Sequence, residues 1–244
     1  MSLAQEKTVI SATIFYYDIV YSAEVAYKVL ETLKRYEMFP PHKIHAGKLT
    51  KNRFVLANKQ TSEVFVDAYS EKDVFGIDMA SGDSRTSDDF WRVDWGFTYY
   101  KNSKLLGSCK FLPWNTLTIQ STYGRLENDA ISHAFMSCVR DLILLLDPFY
   151  ASIDDLGNKV YLMGKTRDKH FVPDQVQEIF WGNYWGPDHC QRYGTNQLFD
   201  VAGCNIETIG KGVFFSLSNS MLENKSQAID CLRKQIKSQY RYLI

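Results

Sequence analysis

The sequence is poor in the features that identify disulfide-rich, zinc-binding and exported proteins. It has no Cys-x-x-Cys pair, and its odd number of cysteines lie far apart, at positions 109, 138, 190, 204 and 231. Small secreted domains hold their fold with paired cysteines, and structural zinc sites group their ligands closely. Neither pattern is present, so we expect reduced thiols and a cytoplasmic protein.

Long hydrophobic runs and the glycine motifs of nucleotide-binding sites are also missing. The longest strongly apolar stretch, residues 142–146, is far shorter than the ~20 residues that cross a bilayer as a helix. Neither G-x-x-x-x-G-K-S/T nor G-x-G-x-x-G occurs, and His42 and His45 have no cysteines near them. We therefore expect no membrane span, no cofactor and no dedicated metal site.

Charge of one sign is not in excess, because 28 lysines and arginines balance 28 aspartates and glutamates. This balance argues against a nucleic-acid partner, which requires a basic field. Locally, residues 67–94 carry a net charge of −5 and residues 225–241 a net charge of +4. Such runs usually form a solvated face. The alternative is a surface that binds a protein partner, with Asp83, Asp88 and Asp89 as its candidates because they flank a loop rich in Ser, Gly and Thr.

What the sequence does contain is enough apolar material for one substantial core. Of its 244 residues, 45% are hydrophobic and 14% aromatic, as expected of a globular chain. No linker of glycine, serine or charged residues divides it. We predict a single α+β domain over residues 1–244, an antiparallel or mixed sheet packed by long helices, with two pseudo-repeated halves at 7–146 and 147–244.

Hydrophobic periodicity places the main elements of the first half. Residues 8–17 are dense in β-branched and aromatic residues, which predicts a strand buried on both faces, and residues 91–99 alternate in period two. Apolar spacing predicts helices over 22–35 and 128–146. Asn128 suits the N-cap of the second, and Asp147-Pro148 its end. Further strands are predicted at 105–111 and 116–121.

In the second half we predict strands at 149–153, 160–163 and 212–218. A helix is predicted from Pro173, with Ile179 and Phe180 pointing inward, and another over 224–240. Pro187 suits the first position of a short helix that stops at Gly194.

The most informative segment is residues 180–187, Phe-Trp-Gly-Asn-Tyr-Trp-Gly-Pro, which we interpret as one short turn. In one interpretation the rings cap the core, the glycines allow close backbone approach, and the Asn side chain ties the turn to the backbone. In the other, the rings form an exposed anchor for a protein partner. Solvent exposure of the side chains distinguishes the two interpretations, since buried side chains favour the first and exposed side chains the second. The residues concerned are Trp181, Asn183, Tyr184 and Trp185.

The tripeptide Asp188-His189-Cys190 contains the residue types of a cysteine nucleophile system. Neighbours in a helix point about 100° apart, however, and do not form the hydrogen-bonded relay that such chemistry needs. We therefore predict a buried or incidental thiol at Cys190 and name no catalytic residue.

The aromatic segment and its continuation to Gly194 resemble a pattern in uncharacterised bacterial α+β proteins, some of them assigned as immunity proteins of polymorphic toxin systems. In those families an Asn-Tyr-aromatic-Gly-Pro run precedes a short helix that ends at glycine. The resemblance implies a cytoplasmic, non-catalytic protein that neutralises a toxin by binding it.

We therefore expect a binding protein of the immunity type that occludes the active site of a bacterial toxin. Asp83, Asp88 and Asp89 are the first contact candidates if that site is basic. Two alternatives stay open: a hydrolase-like enzyme with a site assembled from distant residues, and a small-ligand-binding protein whose aromatic segment lines a cavity.

Overall fold

The computed structural model describes residues 8–16, 23–36, 44–46, 53–54, 74–81, 91–98, 115–159, 178–196, 203–223 and 226–240. The strands are β1 (Val9–Tyr16), β2 (Ile44–Ala46), β3 (Arg53–Phe54), β4 (Val74–Ser81), β5 (Trp91–Thr98), β6 (Asn115–Thr122), β7 (Tyr150–Asp155), β8 (Gly182–Trp185), β9 (Asn205–Ile209) and β10 (Gly212–Ser216). The α-helices are α1 (Ala23–Arg35), α2 (Tyr123–Leu126), α3 (Asp129–Leu146), α4 (Pro187–Tyr193) and α5 (Gln227–Gln239). A 3₁₀ turn covers Met221–Glu223, and residues 156–159 are helical.

The ten strands form one sheet in the order β3-β2-β4-β5-β6-β1-β7-β8-β10-β9. Every adjacent pair is antiparallel. The predicted α+β class with an antiparallel sheet is therefore confirmed. Strands from 7–146 lie on one side of the β1–β7 pairing and strands from 147–244 on the other. The division into pseudo-repeated halves of one domain stays a prediction.

Strand β1 lies in the middle of the sheet, between β6 and β7. Because β6 and β7 are both antiparallel to β1, they run parallel to each other on either side of it. Two parallel strands need a crossover connection. Helices α2 and α3 make that connection. The side chain of Asn128 caps α3 by accepting from the N–H groups of Ala130 and Ile131, and Asp147 ends it in the left-handed region at φ 43°. The predicted bounds of this helix are confirmed.

Strand β1 is buried on both sides, as predicted, because helices cover both faces of the sheet. The face that contains Ile10, Ala12 and Ile14 packs under α3 and is here called the α3 face. The opposite face is called the α5 face, because α4 and α5 cover it through contacts with β7 and β8. Helix α1 lies beside α3, where Arg35 and Tyr36 both bond Asp141. The core thus has two layers, one on each side of the sheet.

Three sequence predictions are corrected by the structure, and one strand of the sheet is an addition to them. Residues 182–185 form a strand, since β8 is buried on both faces and shows no alternation. Residues 178–180 are not helical, although Ile179 and Phe180 are buried as predicted. Helix α5 begins at Gln227 because Ser226 accepts from the N–H of Ile229 and caps it. Strand β9 was not predicted. The strands predicted at 105–111 and 160–163 lie outside the described residues.

Candidate functional site

The aromatic segment lies inside the protein. Trp181 is 3% exposed and Trp185 0%, and Asn183 and Tyr184 are buried as well. Strand β8 carries the last three of these between β7 and β10, both of which are buried strands themselves. The burial supports the interpretation in which the rings complete the core.

Two polar details hold this segment in shape. The Asn183 side chain accepts from the N–H of Phe180 at 3.0 Å and donates to the Phe180 carbonyl at 2.8 Å. A Cβ on Gly186 would lie 2.6 Å from the carbonyl oxygen of Pro148 and 2.9 Å from Phe149 Cα. The Asn side chain therefore ties the segment to the backbone, and the glycine permits the close approach, as the sequence predicts.

On the α5 face, Trp185 is the centre of an aromatic cluster. Its ring lies 5.0 Å from Phe215 and 5.2 Å from both Tyr193 and Tyr240, with edge-on geometry to Phe215 and Tyr240. Edge-to-face pairs of this kind stabilise a core beyond the area they bury. The cluster joins β8, β10, α4 and α5.

A partner-binding role for the four residues Trp181, Asn183, Tyr184 and Trp185 stays a prediction. Any contact through Asn183, Tyr184 and Trp185 would need the segment to leave the core. The other predicted partner-binding residues, Asp83, Asp88 and Asp89, lie outside the described residues.

Asp154 is a buried junction between four parts of the chain. Its Oδ2 accepts from Arg233 Nη2 at 2.7 Å, from the N–H of Trp181 at 2.9 Å and from Asn158 Nδ2 at 3.0 Å. Its Oδ1 accepts from the N–H of Asp155. A buried carboxylate is stable only when its oxygens are bonded in this way. Asp154 thereby anchors the aromatic segment to α5.

Lys159 is buried on the α5 face close to this junction. Its Nζ donates to the carbonyl oxygens of Ser11 and Ser152 at 3.3 and 3.2 Å and to Thr13 Oγ1 at 2.9 Å. The Nζ also lies 5.7 Å from the centre of the Phe180 ring. Burial lowers the pKa of Lys159 to about 7, and the charge of Asp154 partly opposes that shift.

A groove of about 410 Å³ opens on the α3 face, between the first two thirds of α3 and strands β9 and β10. Its apolar lining includes Trp181, Phe214, Met136 and Met221. Trp181 is fixed in this wall because its Nε1–H donates to Ser218 Oγ at 2.8 Å. The groove therefore brings one residue of the aromatic segment to a site open to solvent.

Charged side chains line the same groove. Arg140 on α3 bonds Glu207 on β9 through Nε at 2.8 Å and Nη2 at 2.7 Å, with both side chains about 40% exposed. Asp129 and His133, one turn apart on α3, also line it. The groove thus combines an apolar floor with an ionic rim, and a helix and a β-hairpin carry both.

Cys190 does not have the surroundings of a nucleophile. Its Sγ–H donates to the Trp185 carbonyl at 3.1 Å, and burial raises the pKa of its thiol. His189 is buried among the rings of Phe149, Tyr150 and Tyr193, while Asp188 is exposed. The three neighbours point into three environments, as their helical positions predict.

Sequence reasoning missed the Asp154 junction, Lys159 and the groove. Two of the partners of Asp154, Trp181 and Arg233, are 27 and 79 positions away in the sequence, so no local pattern indicates the junction. The sequence signal that was available is the pair Asp154-Asp155 directly after an apolar strand. Over the described ranges, no group of three or more His, Cys, Asp or Glu side chains is placed to hold a metal ion.

Within those ranges, no helix combines the length and apolar character of a membrane span. No protein-family model and no curated protein matches the chain. Among solved structures, one described as "Pseudomonas aeruginosa T6SS protein PA0821" matches with a TM-score of 0.62 and 10% sequence identity, over 94% of this chain and 73% of that one. The chain therefore shares its fold with a T6SS protein.

Proposed function

We propose that this protein is a non-catalytic, cytoplasmic binding protein of the immunity type, which neutralises a bacterial toxin by occluding the toxin's active site. The observation that carries the proposal is the fold shared with a T6SS protein across 94% of this chain. The sequence resemblance of the aromatic segment to immunity proteins supports it independently, because it depends on local residues.

The groove on the α3 face is the contact surface we propose within the described residues. Its rim is charged, its floor is apolar, and its walls come from a helix and a hairpin that need little ordering on binding. Protein interfaces combine apolar centres with polar rims in this way, and a rigid surface loses less entropy on association. The acidic candidates Asp83, Asp88 and Asp89 are a second proposed surface.

The test is co-purification with the protein encoded beside this chain's gene, followed by growth rescue of cells that express that protein. We expect a stable complex and rescue. Absence of both a complex and rescue would contradict the proposal.

Neutralising the acidic candidates separates the two surfaces. One variant changes Asp83, Asp88 and Asp89 to Asn, and a matched control removes the same charge at exposed acids elsewhere, with the substitutions Glu127→Gln, Asp188→Asn and Glu223→Gln. Loss of binding in the first variant alone would indicate that the toxin contacts the surface that contains Asp83, Asp88 and Asp89. Binding by both variants leaves the groove as the proposed surface.

The position of Trp181 favours a second candidate, a small-ligand-binding protein. An aromatic wall beside polar side chains is typical of ligand pockets, and the groove falls within their usual range of about 300–1,000 Å³. A crystal structure of protein purified from its own source, with bound density beside Trp181, would favour this candidate over the immunity role.

A further inference from the structure

Strand β9 is the last strand of the sheet, and its outer edge is not paired with another described strand. It forms a hairpin with β10 through the two residues Gly210 and Lys211, with Gly210 at φ 57°. A glycine with positive φ at the first position suits the tight turn of such a hairpin. The turn fixes the register, and the register fixes which backbone groups point outward.

The outward groups belong to Ile206 and Thr208. In an antiparallel pair, opposite residues alternate between exchanging both hydrogen bonds and exchanging none, and the pair that closes a two-residue turn is bonded. Ile209 therefore bonds Gly212, and Thr208 and Ile206 stand opposite Val213 and Phe215 without bonds to them. Thr208 is an exposed residue, and its backbone N–H and C=O point away from β10, toward the position of a partner strand.

The groove lies directly beside this edge. Asn205, Ile206 and Glu207 of β9 line it together with α3. A strand that pairs with β9 would place alternate side chains on the α3 face, next to Glu207 and the apolar floor. The acidic groups of the rim are Glu207 and Asp129. Arg140 and Glu207 compensate each other's charge, so Asp129 is the acidic group of the rim that remains for an incoming cation. A long basic side chain fits such a site because its stem is apolar and its head is charged.

A second copy of this chain is a poor occupant of the edge. The symmetric antiparallel pairing that uses both Ile206 and Thr208 centres on Glu207 and brings two Glu207 residues directly opposite each other. Their Cα atoms would be about 4.5 Å apart. Each Glu207 is bonded to its own Arg140, so this pairing brings two ion pairs of the same arrangement together, and like charges directly opposite each other destabilise a sheet. A different protein with a basic residue opposite Glu207 avoids this repulsion.

We propose that an extended segment of the toxin pairs with the outer edge of β9 at Ile206 and Thr208 and places a Lys or Arg side chain in the adjoining groove. This inference rests on the proposed function and specifies its contact. Main-chain bonds of the added strand supply affinity, and the groove supplies selectivity.

The decisive variant is Thr208→Pro, tested with the neighbouring gene product as the binding partner. Proline removes the outward N–H of Thr208 and is tolerated on edge strands where that group does not serve the ladder. Thr208→Ala is the matched control. We expect Thr208→Pro to raise Kd roughly tenfold or more, since it removes a bond and adds bulk at the edge. Thermal unfolding of both variants checks the fold.

A charge reversal tests the groove. Asp129→Lys should weaken binding, whereas Glu127→Lys, at an exposed position outside the groove, should not. Hydrogen exchange gives the direct readout: the amides of Ile206 and Thr208 should become protected in the complex.

Two outcomes would contradict this inference and leave the proposed function standing. In both, the wild type binds the neighbouring gene product and rescues growth; in the first, folded Thr208→Pro binds that product equally well, and in the second, the amides of Ile206 and Thr208 stay unprotected in the complex. If the wild type neither binds nor rescues, both are wrong.

Discussion

The Nη2 atom of Arg233 lies 2.7 Å from Oδ2 of Asp154, in an ion pair whose side chains are 12% and 0% exposed. The pair joins α5 to β7, across 79 positions of sequence. Removing one member of a buried pair leaves the other as an uncompensated charge, which costs about 3–5 kcal/mol.

Arg233→Met should therefore lower the free energy of unfolding by about 3–5 kcal/mol, as measured by urea denaturation. The control is Lys211→Met, which breaks the exposed pair of Lys211 with Asp147 and should cost at most about 1 kcal/mol. Equal effects of the two substitutions would contradict the importance given to the buried junction.

Lys159 should make stability depend on pH. Its folded-state pKa of about 7 lies below its usual 10.5, so between those values the unfolded chain binds the extra proton. The free energy of unfolding should therefore rise from about pH 7 to pH 10, because linkage follows the difference in bound protons. Below pH 7 Lys159 is protonated in both the folded and the unfolded chain, so the destabilisation caused by its burial no longer changes with pH.

Urea denaturation of the wild type and of Lys159→Met at pH 6, 8 and 9.5 measures this effect. The difference between the two proteins should change in favour of the wild type as pH rises. A difference that is independent of pH would show that Lys159 keeps its usual pKa.

Gly186 should not tolerate a methyl group. The Cβ of Gly186→Ala would meet backbone atoms of Pro148 and Phe149 at 2.6 to 2.9 Å, and backbone cannot rotate away as a side chain can. We expect a clear fall in Tm. Gly124→Ala is the control, because nothing lies within 4 Å of its Cβ and α2 is helical there. Alanine at that site should be neutral or stabilise by up to about 1 kcal/mol.

The cysteines should differ in their reaction with a thiol reagent at neutral pH. Cys231 is exposed and should react fast, whereas Cys138 is buried and burial raises its pKa well above its usual range. Cys190 should be slow as well, since its pKa is raised and only the thiolate reacts. The experiment uses a Cys109→Ser background, because Cys109 lies outside the described residues. Fast labelling at Cys190 would contradict this expectation and would favour a nucleophilic role for its thiol.

The sequence predicts those elements whose signals are local. Asn128 and Asp147-Pro148 define α3, and Pro187 and Gly194 define α4, because capping and termination depend on neighbouring residues. Strand β8 was not predicted because a strand buried on both faces shows no alternation of apolar and polar residues. Strand β9 was not predicted because its mixture of polar and apolar residues reflects its position at the edge of the sheet, and that position is known only from the assembled sheet.

For the candidate site, the burial of the aromatic segment and the roles of Asn183 and Gly186 follow one of the two interpretations that the sequence allows. The groove does not follow from the sequence. Its lining comes from α3, residue 181, and the hairpin of β9 and β10 with the residues after it, and their proximity is created by the order of strands in the sheet.

The central place of β1 has a consequence for how the chain folds during synthesis. Strand β1 pairs with β6, about a hundred positions later, and with β7, about 140 positions later, and only then are both its edges paired. Contacts of such long range slow folding. A ribosome-bound chain that ends before residue 150 holds one open edge of β1, so the nascent protein should depend on chaperones until the second half emerges.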